Sequence, residues 1–139
     1  MSTEEMKALV RRAWDEVFNK KNLDFIDEFS VADTVWHEPD RDLRGPEEAK
    51  QYAAPYFEAF PDLSVSIDDV IAEGDKVVAR WTYHGTHQGE IEELGPPTGR
   101  QMELEGITIH RFEGDKVVEF WERFDNLSLL QQLGLAPEQ

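Results

Sequence analysis

Apolar residues recur at helical spacing through Met6, Leu9, Val10, Ala13, Trp14, Val17 and Phe18, and Ser2 followed by Glu5 has the form of a capping box. The spacing predicts an amphipathic first helix. Asn22 can cap a shorter second helix carrying Leu23, Ile26 and Phe29, and the run from Thr34 to Glu38 reads as a brief strand stopped by Pro39. The residues between Pro39 and Gly45 read as a charged loop. Pro46 suits the first turn of a third helix whose Ala49, Tyr52, Ala53, Tyr56, Phe57 and Phe60 share one face. Pro55 is expected to kink or split that helix, because it cannot donate to the carbonyl of Gln51.

From Leu63 the period falls to two. Leu63, Val65 and Ile67 alternate with polar residues, and a second strand is expected from Lys76 to His84 beyond the turn at Glu73, Gly74 and Asp75. Gly114-Asp115 has the composition of a hairpin turn between Met102–Phe112 and Lys116–Asp125. Gly89–Gly99 is a Gly- and Pro-rich loop, and Leu127–Gly134 a terminal helix. Helices gathered first and antiparallel strands afterwards imply one α+β domain over residues 1–139, with the helices covering one face of a bent sheet and leaving a pocket.

A two-residue turn at Gly114-Asp115 places His110 opposite Glu119 and Thr108 opposite Trp121. One face then carries Phe112, His110, Thr108, Val117, Glu119, Trp121, Arg123 and Asp125, a mixture suited to a pocket wall or to an exposed surface with a His110–Glu119 pair. The other carries Arg111, Ile109, Ile107, Val118, Phe120, Glu122 and Phe124, the composition of a core or subunit interface. A register slip of one residue would exchange the two sets.

Composition narrows the chemistry. Thirty acidic residues against 14 basic ones give a formal charge of −16, while 40% of residues are apolar and 11% aromatic. That is too hydrophobic for disorder and too acidic to favour phosphate backbones or anionic lipid. Without cysteine there is no disulfide, thiol nucleophile or thiolate metal site. The first residues carry early acids and no apolar core, and no stretch nears 18 consecutive apolar residues, so a soluble, cytoplasmic protein is expected. The charge, with only six lysines, also fits a high-salt environment. His37, His87 and His110 lack the spacing of a known metal site, and no serine sits in a nucleophile-elbow context.

The strings GTHQGE (85–90), PPTGR (96–100), GITIHRF (106–112), DKVVEFWERFD (115–125) and LLQQLG (129–134), with GPEEAK (45–50) and FPDL (60–63) upstream, closely resemble the SnoaL-like polyketide cyclase family. The resemblance implies the cone-shaped fold of nuclear transport factor 2 and ketosteroid isomerase, a bent antiparallel sheet wrapped around helices with an internal pocket. It further implies intramolecular aldol closure of a polyketide ester, without cofactor or metal, by an Asp acting as acid and base beside a His.

Asp125 matches that Asp and His110 is the counterpart of the His; the alternative role of Asp125 is to cap the last helix. His37, Trp81, His87, Trp121, Glu119, Arg123, Tyr52 and Trp14 are the candidates for substrate contact. The expected partner is a small hydrophobic carbonyl compound, with a homodimer formed through the apolar outer face. The segment IEELG departs from the usual family pattern. Alternatives on the same fold are a non-catalytic ligand-binding module, an isomerase, and an epoxide hydrolase, the last needing Arg80 or Arg123 turned inward between two Asp.

Overall fold

The computed structural model describes residues 1–137. The capping box at Ser2 and Glu5 opens α1 (Thr3–Trp14), whose buried Met6, Val10, Ala13 and Trp14 face the sheet. The chain then widens into one π-helical turn, Asp15–Asn19. There the amide of Asn19 both donates to the carbonyl of Val65 (3.1 Å) and accepts from its N–H (2.7 Å), tying the helix end to a strand as a neighbouring strand would. A short α2 (Phe25–Phe29) leads into β1 (Ser30–His37), longer than the alternation predicts.

The segment expected to be a charged loop contains a strand, β2 (Asp42–Arg44), antiparallel to β1. Next, α3 (Gly45–Ala59) runs through Pro55 as one helix, so the expected split does not occur. The meander follows as β3 (Ser64–Glu73), β4 (Lys76–Thr86), β5 (Gln101–Glu113) and β6 (Lys116–Phe124), and α4 (Asn126–Gln132) closes the described chain.

The strands form one sheet in the order β2-β1-β6-β5-β4-β3. It is mixed, where the sequence suggests an antiparallel sheet: β1 inserts parallel to β6, pairing Trp36 with Phe120 and His37 with Trp121. The two strands can lie parallel because β2, α3, β3, β4 and β5 separate them in the chain, a connection long enough to cross over where a tight turn could only reverse direction.

A second difference decides which side chains face inward. Glu113 pairs with Lys116 and Phe112 with Val117 as the turn dictates, but Arg111 pairs with Glu119, leaving Val118 as an extra residue. This β-bulge reverses the phase of β6 beyond it. Phe120, Glu122 and Phe124 therefore share the inner face with Thr108 and His110, while Glu119, Trp121 and Arg123 turn outward. Inside, one apolar cluster joins both helical ends of the chain to the concave side of the sheet.

Candidate functional site

A cavity of about 330 Å³ opens between the concave sheet, α3, α4 and the Gly89–Gly99 loop. Its wall is aromatic and aliphatic, with Trp36, Tyr52, Tyr56, Trp81, Tyr83 and Phe124 prominent. Two carboxyl groups interrupt that surface. The parallel rung His37–Trp121 explains them: with the two strands in phase, Trp36 stacks on Phe120 at 4.8 Å, and two residues further on Glu38 meets Glu122. Both acids line the cavity, and their carboxyl groups lie close enough that each perturbs the titration of the other.

Burial is the main reason that the Glu122 carboxyl titrates well above the ordinary glutamate range, and the Glu38 charge raises it further. Glu38 is only 7% exposed and is likewise pushed up by burial, partly offset by the neighbouring Glu122 carboxyl and the charges of Arg123 and Arg41. Glu38 Oε2 has no donor among the described residues. Glu38 is buried and Glu122 half-buried, and two like charges side by side in a largely apolar wall disfavour one another, so the pair retains a proton to higher pH than either acid would in water. Tyr52, Tyr56 and Tyr83 on the same wall are also raised, chiefly by desolvation, and stay protonated as donors. Asp40 and Glu93 stand nearer the solvent; among the described residues no Lys, Arg or His lines this cavity.

Of the residues singled out by sequence, Trp81 and Tyr52 lie on the cavity wall. Trp14 and His110 border a separate space of about 50 Å³ behind it, which Glu122 also touches. His110 is fully committed there: its Nε2 accepts from Trp14 Nε1 at 3.0 Å, which leaves its Nδ1–H to donate to the carbonyl of Val77 at 3.0 Å. Burial lowers its pKa to about 4, so it is a neutral, structural imidazole.

Asp125 is exposed and caps α4, accepting from the N–H of Ser128 at 3.0 Å, the alternative role that the sequence left open. His87 is buried under Phe60, with its Nδ1 accepting from the N–H of Thr98, and it is absent from the cavity wall.

Glu119, Trp121 and Arg123 belong to the outer face because of the bulge, and His37 joins them there as the rung partner of Trp121. There His37 stacks on Trp121 and bridges Glu119 (2.6 Å) and Asp42 (2.9 Å), and Arg111 holds the other oxygen of Glu119. Arg80 is exposed and paired with Asp69 at 2.7 Å, and Arg123 is exposed, so neither stands inside between two Asp. The described residues include no cluster of three or more His, Cys, Asp or Glu able to hold a metal. No helix is long and apolar enough to cross a membrane.

Glu38 carried no signal beyond ending the predicted strand, and Glu122 was legible only as an anomaly. Glu122 is the one acid in the alternating set Phe120, Glu122, Phe124, and a charge inside an apolar strand face is the informative exception.

Such a sheet curled about helices is the fold of nuclear transport factor 2-like proteins; an example from Burkholderia pseudomallei superposes with a TM-score of 0.77 at 20% identity, covering 96% of this chain and 98% of its own. Within that class the chain belongs to the SnoaL-like polyketide cyclase family, whose profile matches residues 8–133. It is similar to AclR of Streptomyces galilaeus, provisionally assigned as a hydroxylase (30% identity, TM-score 0.86, 98% of this chain and 100% of that one). It is also similar to a provisionally assigned polyketide cyclase of Acidithiobacillus ferrooxidans (28% identity, TM-score 0.81, 99% and 100%). No curated protein sequence matches the chain.

Proposed function

We propose that the protein is a cyclase that closes a ring in a polyketide ester or similar hydrophobic carbonyl compound by intramolecular aldol addition, with the Glu38–Glu122 pair as acid and base. The observation that carries this reading is the placement of the Glu38 and Glu122 carboxyl groups, both raised above the ordinary glutamate range, together in an apolar, tyrosine-bearing cavity. The ionised member removes a proton from the carbon beside a carbonyl. The resulting enolate carbon attacks a second carbonyl of the same molecule, forming the C–C bond and an alkoxide, and the protonated member delivers its proton to that alkoxide.

One proton leaves carbon and one arrives at oxygen, so the pair ends with the proton count it began with, and the chemistry proposed draws on no cofactor. Raised pKa values favour both halves of the exchange near neutral pH. A Tyr52, Tyr56 or Tyr83 hydroxyl can donate to the developing enolate oxygen, where an apolar surround strengthens the bond.

Asp125 and His110 have no part in these steps, the first being a helix cap outside the cavity and the second being bonded at both nitrogens. The test is incubation with a panel of aromatic polyketide esters, comparing wild type with Glu122→Gln and Asp125→Asn. Turnover is expected to fall at least about 100-fold in the first and to persist in the second, from the usual worth of a positioned acid or base. Full turnover in Glu122→Gln overturns the reading.

We also infer a homodimer in the cytoplasm, formed through the outer face of the sheet. Ile107 on that face is 46% exposed opposite Arg123, one outward step along the ladder from the Ile109–Trp121 pair, and a second copy would cover this patch. Solution scattering at several concentrations that shows only a monomer overturns this.

A further inference from the structure

We propose that the cavity takes a ligand carrying a protonated amine on an otherwise apolar body, with the ammonium group seated between Glu38 and the ring of Tyr52. The inference rests on the cavity and the carboxyl pair invoked for cyclisation, and it names a ligand chemistry that the reaction itself does not require.

Four carboxyl groups, those of Glu38, Asp40, Glu93 and Glu122, border the space, and no basic side chain among the described residues lines it. An anionic ligand would meet only repulsion, and a wholly apolar one would leave Glu38 Oε2 without a donor. Glu38 is nearly inaccessible, so bulk water cannot solvate it as it solvates the acids at the mouth. Arg41 is exposed, bound to Asp40 at 2.9 Å and lies over the Tyr52 ring at 5.4 Å, and neither it nor Arg123, the two cations whose charges act on Glu38, belongs to the cavity lining.

Aromatic rings beside buried carboxylates are the surroundings in which an organic cation gains from ring quadrupoles and from full charges in a low dielectric. Tyr52, Tyr56 and Trp36 supply the rings. The proton account closes as well. An ammonium ion entering beside the pair makes two carboxylates tolerable, so the retained proton is released to solvent as the cation binds.

The test is calorimetric titration at pH 7 with three bicyclic probes of one shape: 2-aminotetralin, 2-tetralol and tetralin-2-carboxylate. The ammonium probe is expected to bind at least tenfold tighter than the alcohol, with net proton release visible as a dependence of the measured heat on the buffer's ionisation enthalpy. The carboxylate is expected to bind weakest. In Glu38→Gln, checked for a wild-type unfolding transition, the preference for ammonium over alcohol should fall below about threefold.

Asp40→Asn, at the solvent side, should reduce it by about twofold and serves as the reporter if Glu38→Gln does not fold. Equal or tighter binding of the alcohol, absence of ammonium binding, or a preference unchanged by these substitutions overturns the proposal. Because the readout is equilibrium binding, cyclisation of an ester without any ammonium preference would overturn this inference alone. Ammonium preference without ester turnover would overturn the cyclase reading alone.

Discussion

Glu38 and Glu122 are neighbours across the parallel seam that joins β1 to β6, each the residue after a member of the His37–Trp121 rung. Their carboxyl groups raise one another's titration because strand register, rather than a loop or a helix end, brings them together in an apolar wall.

That pair should cost stability as pH rises. A buried carboxyl whose folded pKa is raised keeps a proton that the unfolded chain has lost above about pH 4.5. Its destabilising contribution therefore grows from that value upward until the folded group itself ionises. Glu122→Gln keeps the shape without the charge, so its melting temperature should gain on wild type steadily between pH 5 and pH 8. Thermal unfolding at several pH values checks this, and a gap independent of pH would contradict the retained proton.

His110 works in the opposite sense. Its pKa, lowered by burial from 6.5 to about 4, means that the unfolded chain binds a proton between those values while the folded protein does not. Stability is complete above pH 6.5 and is lost as pH falls towards 4, by up to about 3 kcal/mol at 1.36 kcal/mol per unit. Proton NMR of the ring should show no titration above pH 5 in the folded state; an ordinary midpoint near 6.5 would refute the assignment.

Asp125→Ala should lower stability by roughly 1 kcal/mol, the usual worth of a helix N-cap, and leave turnover within about twofold. Asp125→Asn, which can still accept from Ser128, should leave both stability and turnover close to wild type. Urea denaturation and a turnover assay on both variants separate a cap from a catalyst.

Much of the architecture could be read directly from period and punctuation. The capping box at Ser2, the helical stripe from Met6 to Trp14, the switch to period two after Leu63 and the turn at Gly114-Asp115 all reappear in the fold. The site was less legible for two physical reasons. A bulge costs one residue and leaves no compositional mark at Val118, so Glu119, Trp121 and Arg123 were placed inside when they lie outside. The parallel contact of β1 with β6 links residues more than 80 positions apart, and no local pattern announces that Glu38 will meet Glu122.

Gly106 should tolerate no side chain. A Cβ there would fall within the Trp81 ring and close to the Arg123 carbonyl, so Gly106→Ala must displace the ring that forms part of the cavity wall. Overpacking of this kind costs about 1–3 kcal/mol. A lowered melting temperature with altered tryptophan emission is the expected result, whereas unchanged emission would mean that Trp81 has room to spare.

The extra residue at Val118 also acts as a phase switch for the whole end of β6. Remove it, and the same letters would display Glu119, Trp121 and Arg123 to the interior while sending Glu122 to solvent. A single codon thus separates two different cavity chemistries on one backbone, and relatives aligned without regard to that codon would have their inner and outer surfaces compared as if they were the same.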